Sequence, residues 1–322
     1  MWYLSLAVFP LFKRPSARRG PDSVWTQGAL DFGLDFQPDT QKTPPAAEPL
    51  PLPQPRPVRP AGPPLRIGVL GSGSGGNAVV VESGPHRLLI DAGFSCRELV
   101  RRMGDLRCDP RSIGALVLTH EHQDHCKGAD RFARKFRVPV YATEGTLQEA
   151  HLREEQAQAA VLLRSGEPCE VAGFRIEPFM LPHDAREPVG FVVEDPLGRR
   201  LGLVADLGCR TSLAWGRLSD LDALVLETNH DLDMLRNGPY PWSLKQRVAG
   251  RHGHLSNRDA AEGLPDLICD RLRWVVLYHL SRTNNLPALA AAAIGEALDR
   301  ERSPAQMVVT DQDHPTPWLE VF

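Results

Sequence analysis

The run Thr119-His120-Glu121-His122-Gln123-Asp124-His125 constrains this chain more than any other stretch. Four side chains of metal-ligating type fall within six residues, directly after the apolar stretch Ala115-Leu116-Val117-Leu118. A strand that ends in such a turn aims two histidines at one metal and an Asp-His pair at a second. Neutral imidazole and carboxylate are the donors that suit zinc and its first-row neighbours. Ligand and spacer alternate too regularly for a polar loop that merely happens to be rich in histidine. The rest of the chain is therefore read for residues that complete such a site.

The second half repeats one arrangement, an apolar strand with a ligand type at or just past its end. Phe174 to Leu181 leads to His183, and Leu201 to Ala205 leads to Asp206. Ala223 to Leu226 leads to Glu227-Thr228-Asn229-His230, and Trp274 to Tyr278 leads to His279. A lone histidine beyond a strand is ordinarily a polar loop residue; four strands that end this way, together with the opening cluster, argue for one shared site. In the first half, Arg66 to Leu70, Ala78 to Val81, Arg87 to Ile90 and Val138 to Tyr141 read as strands. Arg97 to Met103 and Lys127 to Arg137 read as helices, the latter with Ala129, Phe132, Ala133 and Phe136 at helical spacing. Thr146 to Leu163 carries a charged, alanine-rich helical pattern. Strand-rich segments alternating with helices predict a mixed α/β (α+β) chain, with stacked sheets covered by helices.

Gly71, Gly73 and Gly76 spell GxGxxG, with Asp91 downstream. The dinucleotide fingerprint requires a helix after its glycines, whereas here Ala78-Val79-Val80-Val81 follows. The segment is expected to be a hairpin-like turn whose bare backbone can approach a metal site closely. Residues 1 to 64 hold 14 of the 29 prolines. Proline at that density cannot build a core, so residues 1–64 are predicted to be a disordered extension and 65–322 the hydrolase domain.

From Leu65 onward the chain carries 30 basic and 35 acidic side chains, so bulk charge does not advertise nucleic-acid binding. Bound divalent cations would supply positive charge at the site itself. Six cysteines lie scattered with no CxxC pair, so neither a disulfide framework nor a zinc ribbon is indicated. The apolar run Trp2 to Phe12 is too short to span a bilayer and lacks a basic segment before it. A reduced, cytoplasmic setting with no membrane contact is the expectation.

HxHxDH followed by a distant His, Asp and His resembles the metallo-β-lactamase superfamily, and the motifs run in order through most of Leu65 to Phe322. The resemblance implies an αββα sandwich with a dinuclear metal site at one edge of the sheets. It assigns His120, His122 and His183 to one metal, Asp124, His125 and His279 to the other, and Asp206 as the bridge. Asp91 would orient the histidine loop. Two divalent ions are implied, zinc first, with manganese or iron also suited.

A narrower likeness rests on Leu70 to Asn77, Glu227 to Asp231, Tyr240-Pro241-Trp242-Ser243, Gly253 to Asn257 and His279-Leu280-Ser281. These segments look like the YycJ/WalJ family, which implies a metal-dependent exonuclease acting 5′ to 3′ on double-stranded DNA, with a part in DNA repair. Gly253-His254-Leu255-Ser256 also looks like a segment of the tRNA 3′-processing endonucleases, which implies His254 as general acid and Glu227 as its orienting partner. Locally, Ser256 with Asp259 reads as a capping box.

His230 is a candidate for substrate contact or ligand support. Arg282, Asn284 and Asn285, just past His279, are candidates for phosphate contact, and the aromatics of Asn237 to Trp242 for stacking on a base. DNA is favoured over RNA as partner. An RNA-processing nuclease and a small or cyclic phosphodiesterase remain alternatives within the fold. A non-hydrolytic di-metal scaffold or redox protein remains the alternative of a different class.

Overall fold

The computed structural model describes residues 62–152 and 160–322. Two seven-stranded sheets form among them. The first contains β1 (Leu65–Gly71), β2 (Ala78–Ser83), β3 (His86–Ile90), β4 (Ala115–Val117), β5 (Val140–Ala142) and β6 (Ala160–Leu162), with β14 (Leu319–Val321) beside β1. The second contains β7 (Cys169–Val171), β8 (Phe174–Met180), β9 (Val189–Glu194), β10 (Arg200–Val204), β11 (Ala223–Glu227), β12 (Trp274–Tyr278) and β13 (Gln306–Val309). The helices are α1 (Cys96–Asp105), α2 (Gln123–Cys126), α3 (Ala129–Phe136), α4 (Glu144–Glu149), α5 (Ser212–Arg217), α6 (Leu232–Asn237), α7 (Trp242–Val248), α8 (Asn257–Gly263) and α9 (Pro287–Arg300).

Side-chain alternation explains the layering. Along β2, Val79 and Val81 enter the core between the sheets, while Ala78 and Val80 pack outward against α1 and α3. Along β11, Ala223 and Val225 face inward, while Leu224 and Leu226 pack outward with α5, α8 and α9. A sheet covered on both faces needs such near-continuous apolar strands. The result is the αββα sandwich that the motifs imply. The same period of two turns Glu227 inward at the end of its strand.

Strand direction collects the ligand types at one edge. β3, β4, β5 and β6 run parallel, as do β10, β11, β12 and β13. In register, Ile90 pairs with Val117, and Leu226 pairs with both Val204 and Leu277. Asp91, Thr119, Asp206, Glu227 and His279 therefore leave the sheets at nearly one level, beyond the carboxyl ends of the strands.

One expectation is revised. The helix predicted over Thr146 to Leu163 is confined to α4, while Ala160–Leu162 forms β6 at the sheet edge, paired with β5. Pairing at an open edge overrides alanine's helix preference there; residues 153–159 lie outside the described residues. Asn237 to Trp242 joins α6 to α7 by a short loop. The expected extension over 1–64 lies outside the described residues except for 62–64. No helix among the described residues is long and apolar enough to cross a membrane.

A buried ion pair ties the two sheets together. Asp195 Oδ2, in the β9–β10 turn, accepts from Arg199 Nε at 2.9 Å and from Ser83 Oγ of β2 at 2.8 Å. Arg199 also donates to the carbonyls of Val321 (3.1 Å) and Pro63 (2.6 Å). Burial alone would raise the Asp195 pKa; the bonds from Arg199 and Ser83 outweigh it and hold the carboxyl below its ordinary value. Asp195→Ala should destabilise the fold by about 3–5 kcal/mol in urea unfolding, because it strands a buried guanidinium. A carboxyl depressed by folding stabilises above its unfolded pKa of about 3.9 and ceases to do so as pH falls through the folded value. The gap between wild type and variant should therefore shrink below about pH 4.

Candidate metal centre

Three of the strand ends leave their sheets through a rare backbone conformation. Asp91 (φ 60°), Asp206 (φ 50°) and His279 (φ 60°) all occupy the left-handed region. Asp and His tolerate it better than most side chains, yet each such residue still costs about 1 kcal/mol or more. The kink ends the strand and turns the side chain back over the gap between the sheets. His120 follows β4, and α2 carries Asp124 and His125 one turn on. His183 comes from the turn after β8, and His254 from the segment after α7.

These side chains meet. Four groupings bring their ligand atoms within 4.8 Å of one another: His120, His122 and His183; His120, His125 and Asp206; Asp124, His125 and His279; and Asp206, Glu227, His254 and His279. Asp206 is common to two of them. Its Oδ2 lies 2.8 Å from His125 Nε2 and 3.1 Å from His120 Nε2, and its Oδ1 lies 2.9 Å from His279 Nδ1. Yet Asp206 Oδ1 and His120 Nε2 have no hydrogen-bond partner although both are buried. Lone pairs that crowd together without bonding one another fit a cation between them, and this donor set of imidazole and carboxylate suits a divalent ion.

Electrostatics point the same way. Burial pushes the His183 pKa down to about 4 and lowers that of His120, so both are neutral, the ligating form, at neutral pH. Burial opposes charge on Asp206 too, but His279, His125 and His120 around it hold its carboxyl far below the ordinary range. Burial likewise disfavours charge on His125, and Asp206, Asp91 and Asp124 overcome it, raising the pKa to about 10. Protons thus do in the bare cluster what a divalent ion does when bound, and metal uptake should release them.

Further groups fix each ligand. Asp91 Oδ2 lies 2.7 Å from His125 Nδ1, while Asp91 Oδ1 accepts from the Thr119 amide at 2.8 Å. His183 Nδ1 lies 3.0 Å from the Gly253 carbonyl oxygen. With the ring nitrogen distal to the centre occupied in this way, Nε2 is left for a metal. Asn77, from the glycine-rich turn between antiparallel β1 and β2, donates to Gly73 O at 3.1 Å and lies 3.1 Å from His125 Nε2. Ser72 Oγ accepts from the His279 amide at 2.7 Å. The turn is therefore a wedge beneath the centre, as its composition predicts. Gly93 permits the fit: a Cβ there would stand 1.7 Å from the Asp124 carbonyl oxygen.

Glu227 is fully buried. Its Oε1 lies 2.8 Å from His254 Nδ1 and 3.0 Å from His279 Nδ1, and its Oε2 accepts from the amides of Leu207 (2.7 Å) and Leu255 (3.0 Å). Burial opposes the charged form of His254, but Glu227 and Asp206 raise its pKa to about 9. Ser256 caps α8, its Oγ accepting from the Asp259 amide at 3.1 Å and donating to Asp259 Oδ2 at 2.6 Å, a side-chain pair in place of the reciprocal backbone bond of a full capping box.

A cleft of about 230 Å³ opens over the centre, with His122, Asp124, Asp206, His254 and His279 on its floor. Of the predicted substrate contacts, Asn284 lines it, and both polar atoms of its buried amide are without a partner. Asn285 instead spans the carbonyls of Thr228 (2.8 Å) and Asn229 (3.0 Å) and the side chain of Asn257. Arg282 pairs on the surface with Asp313 at 2.7 Å. His230 is buried beside β11, its Nε2 also without a partner. Tyr240 reaches the cleft, whereas Trp242 is exposed. Sequence reasoning passed over Arg247, which lines the cleft while its Nε donates to Asp184 Oδ2 at 2.5 Å. It sits in a short helix between two motif segments but belongs to neither, so only folding reveals it.

Comparison with known proteins agrees with this geometry. The family model described as "Beta-lactamase superfamily domain" matches residues 86–280. Exodeoxyribonuclease YycJ of Bacillus anthracis is 34% identical over 239 residues, 74% of this chain and 90% of that protein. Exodeoxyribonuclease WalJ of Streptococcus pneumoniae is 33% identical over 232 residues, 70% of this chain and 85% of that protein. Among solved structures, the metallo-beta-lactamase fold protein YhfI of Bacillus subtilis matches with a TM-score of 0.62 at 15% identity, covering 79% of this chain and 99% of that one. At that identity the likeness shows the fold alone.

The support that Asp91 gives His125 is open to a direct test. Asp91→Asn should weaken divalent-metal affinity about 10–100-fold, as read by competition with a chelating indicator dye. An unchanged affinity would show that the carboxylate orients nothing.

Proposed function

The chain belongs to the beta-lactamase superfamily and, within it, to the family of YycJ and WalJ, and from that premise we propose a metal-dependent exonuclease that hydrolyses double-stranded DNA from the 5′ end. We take its ligands to be His120, His122 and His183 for one divalent ion and Asp124, His125 and His279 for a second, with Asp206 shared and zinc as the resident metal. When bound, the ions supply an acidified water at neutral pH and neutralise charge on the phosphoryl oxygens. DNA is preferred over RNA because the relatives matched over most of their length are named exodeoxyribonucleases. A cytoplasmic role in DNA repair goes with this reading.

The observation that carries the assignment to phosphodiesters is the Glu227–His254 pair at the cleft floor. Hydrolysis of a phosphodiester must protonate an alkoxide leaving group. His254 has Nδ1 on the buried Glu227 carboxylate at 2.8 Å, which leaves Nε2 to deliver a proton. In the metal-free protein the neighbouring Glu227 and Asp206 carboxylates raise its pKa, which favours the proton-carrying form. Arg247, with Nε held by Asp184, keeps the rest of its guanidinium for a phosphate oxygen. The unpartnered amide of Asn284 offers both a donor and an acceptor to the substrate.

The proton donor is tested by the leaving group. His254→Ala should retain its metal and lose about 10²–10⁴-fold in kcat on duplex DNA. It should lose far less on the p-nitrophenyl ester of thymidine 5′-phosphate, whose leaving group needs no proton. Equal losses on both substrates would remove His254 from the acid role. Absence of hydrolysis by metal-loaded wild type on duplex DNA, single strands and precursor tRNA alike would sink the nuclease reading.

A further inference from the structure

An acidic chain that binds DNA needs a place where its cations are not cancelled by its own carboxylates. Such a place lies beside the metal loop. α1 and α3 face each other across a groove of about 470 Å³, whose walls carry Arg97 on one side and Arg131 and Lys135 on the other. All three are exposed. Among the described residues, none of them pairs with a carboxylate. The acids on the same helices are engaged elsewhere: Glu98 binds Arg101 at 2.7 Å and Arg102 at 2.7 Å, and Asp130 binds Arg134. Lys135 rests its ammonium 5.2 Å from the ring centre of Phe136, which supports the side chain without cancelling its charge.

The groove begins behind the ligand loop, where Gly128 abuts the Phe94 carbonyl and Gly93 the Asp124 carbonyl. α2, which carries Asp124 and His125, ends at Cys126, and the turn Lys127-Gly128 leads into α3. Arg131 and Lys135 then stand four residues apart on one face of α3. On the opposite wall, α1 begins three residues after Gly93, the glycine on which the Asp124 carbonyl rests. Both walls therefore spring from segments that touch the ligand loop. A DNA strand carries one negative charge per nucleotide, advancing roughly 3.4 Å along the helix axis at each, so a row of cations along a helix can meet more than one phosphate.

We propose that the groove between α1 and α3, with Arg97, Arg131 and Lys135 as its cations, is a track for the sugar–phosphate backbone of duplex DNA leading to the metal centre. The track names a binding surface for the substrate of the proposed nuclease and rests on that reading for its role in turnover. Its contacts are ionic and blind to sequence, so they set affinity and salt dependence rather than the chemical step.

The test is a charge reversal, Arg97→Glu/Arg131→Glu/Lys135→Glu, against a control with the same change in charge elsewhere, Arg175→Glu/Arg273→Glu/Arg300→Glu. Binding of a fluorescein-labelled 20-base-pair duplex with phosphorothioate linkages is measured from 50 to 200 mM salt on metal-loaded protein. The groove variant should bind at least about tenfold more weakly at 100 mM salt, with a salt slope shallower by roughly 2–3. Its turnover of bis(p-nitrophenyl) phosphate and its melting temperature should match wild type, and the control should bind like wild type. Equal loss in both variants would reduce the effect to net charge and overturn the track. So would unaltered duplex binding by the groove variant, or loss only of binding to phosphatidylserine vesicles. Should wild type bind the duplex through the groove yet cleave no nucleic acid, the track stands and the nuclease reading falls. Should wild type not bind the duplex, the track falls, whatever its turnover of the small ester.

Discussion

Everything at the edge of this sandwich answers to one buried charge, the carboxylate of Asp206. It is withdrawn from water in a turn whose backbone is itself strained. A lone carboxylate in such a place would take up a proton rather than remain ionised. What holds it ionised is a ring of imidazoles from three separate segments: His120, His125, His254 and His279 all come within 3.1 Å of its two oxygens. Divalent cations meet the same demand more strongly, which is why a cluster costly to the bare fold becomes stabilising once metal is bound.

Those segments could not converge without the parallel halves of the two sheets. Parallel strands end at the same level, so one residue beyond each strand is enough to face the centre. The left-handed residues Asp91, Asp206 and His279 turn the corner at the shortest distance. The cost of those turns is offset by bonds that only they permit, such as Thr119 N to Asp91 and His279 N to Ser72. Glu227 performs two tasks in one position. Its Oε2 clamps the backbone at Leu207 and Leu255, and its Oε1 orients His254 and His279. Substituting it would disturb loop geometry and proton chemistry together, which makes His254 the cleaner place to separate the two.

The layering and the donor cluster were legible because both depend on local order: period-two apolar strands, and ligand types fixed one or two residues past them. Gly71 to Asn77 was readable for the same reason, since a β-branched run after the glycines excludes a phosphate-binding helix. What depends on contacts across the fold was not legible. Nothing near Arg247 in sequence says that Asp184, 63 residues away, holds its Nε toward the cleft. Asn284 and Asn285 are neighbours of the same type, yet one faces the cleft and the other is spent on carbonyls of the β11 loop. Ala160–Leu162 looked helical by composition and became a strand because an open sheet edge lay beside it.

The distribution of charge divides labour between chemistry and capture. Beyond Leu65 the acidic side chains outnumber the basic ones, and many surface cations are matched to a neighbouring carboxylate, as Arg282 is to Asp313 and Arg101 to Glu98. Such pairing hides part of the positive charge from a polyanion. Where a cation stands relative to the centre is then more informative than an average over the surface. Arg247 lies within the cleft, where it touches the reacting phosphate in the proposed mechanism. Arg97, Arg131 and Lys135 lie outside it, where they touch only phosphates that do not react. An ionic strength high enough to screen exposed charges weakens the second set far more than the buried cluster. A protein built in this way holds its substrate by contacts that salt governs and cleaves it with a centre that salt barely reaches.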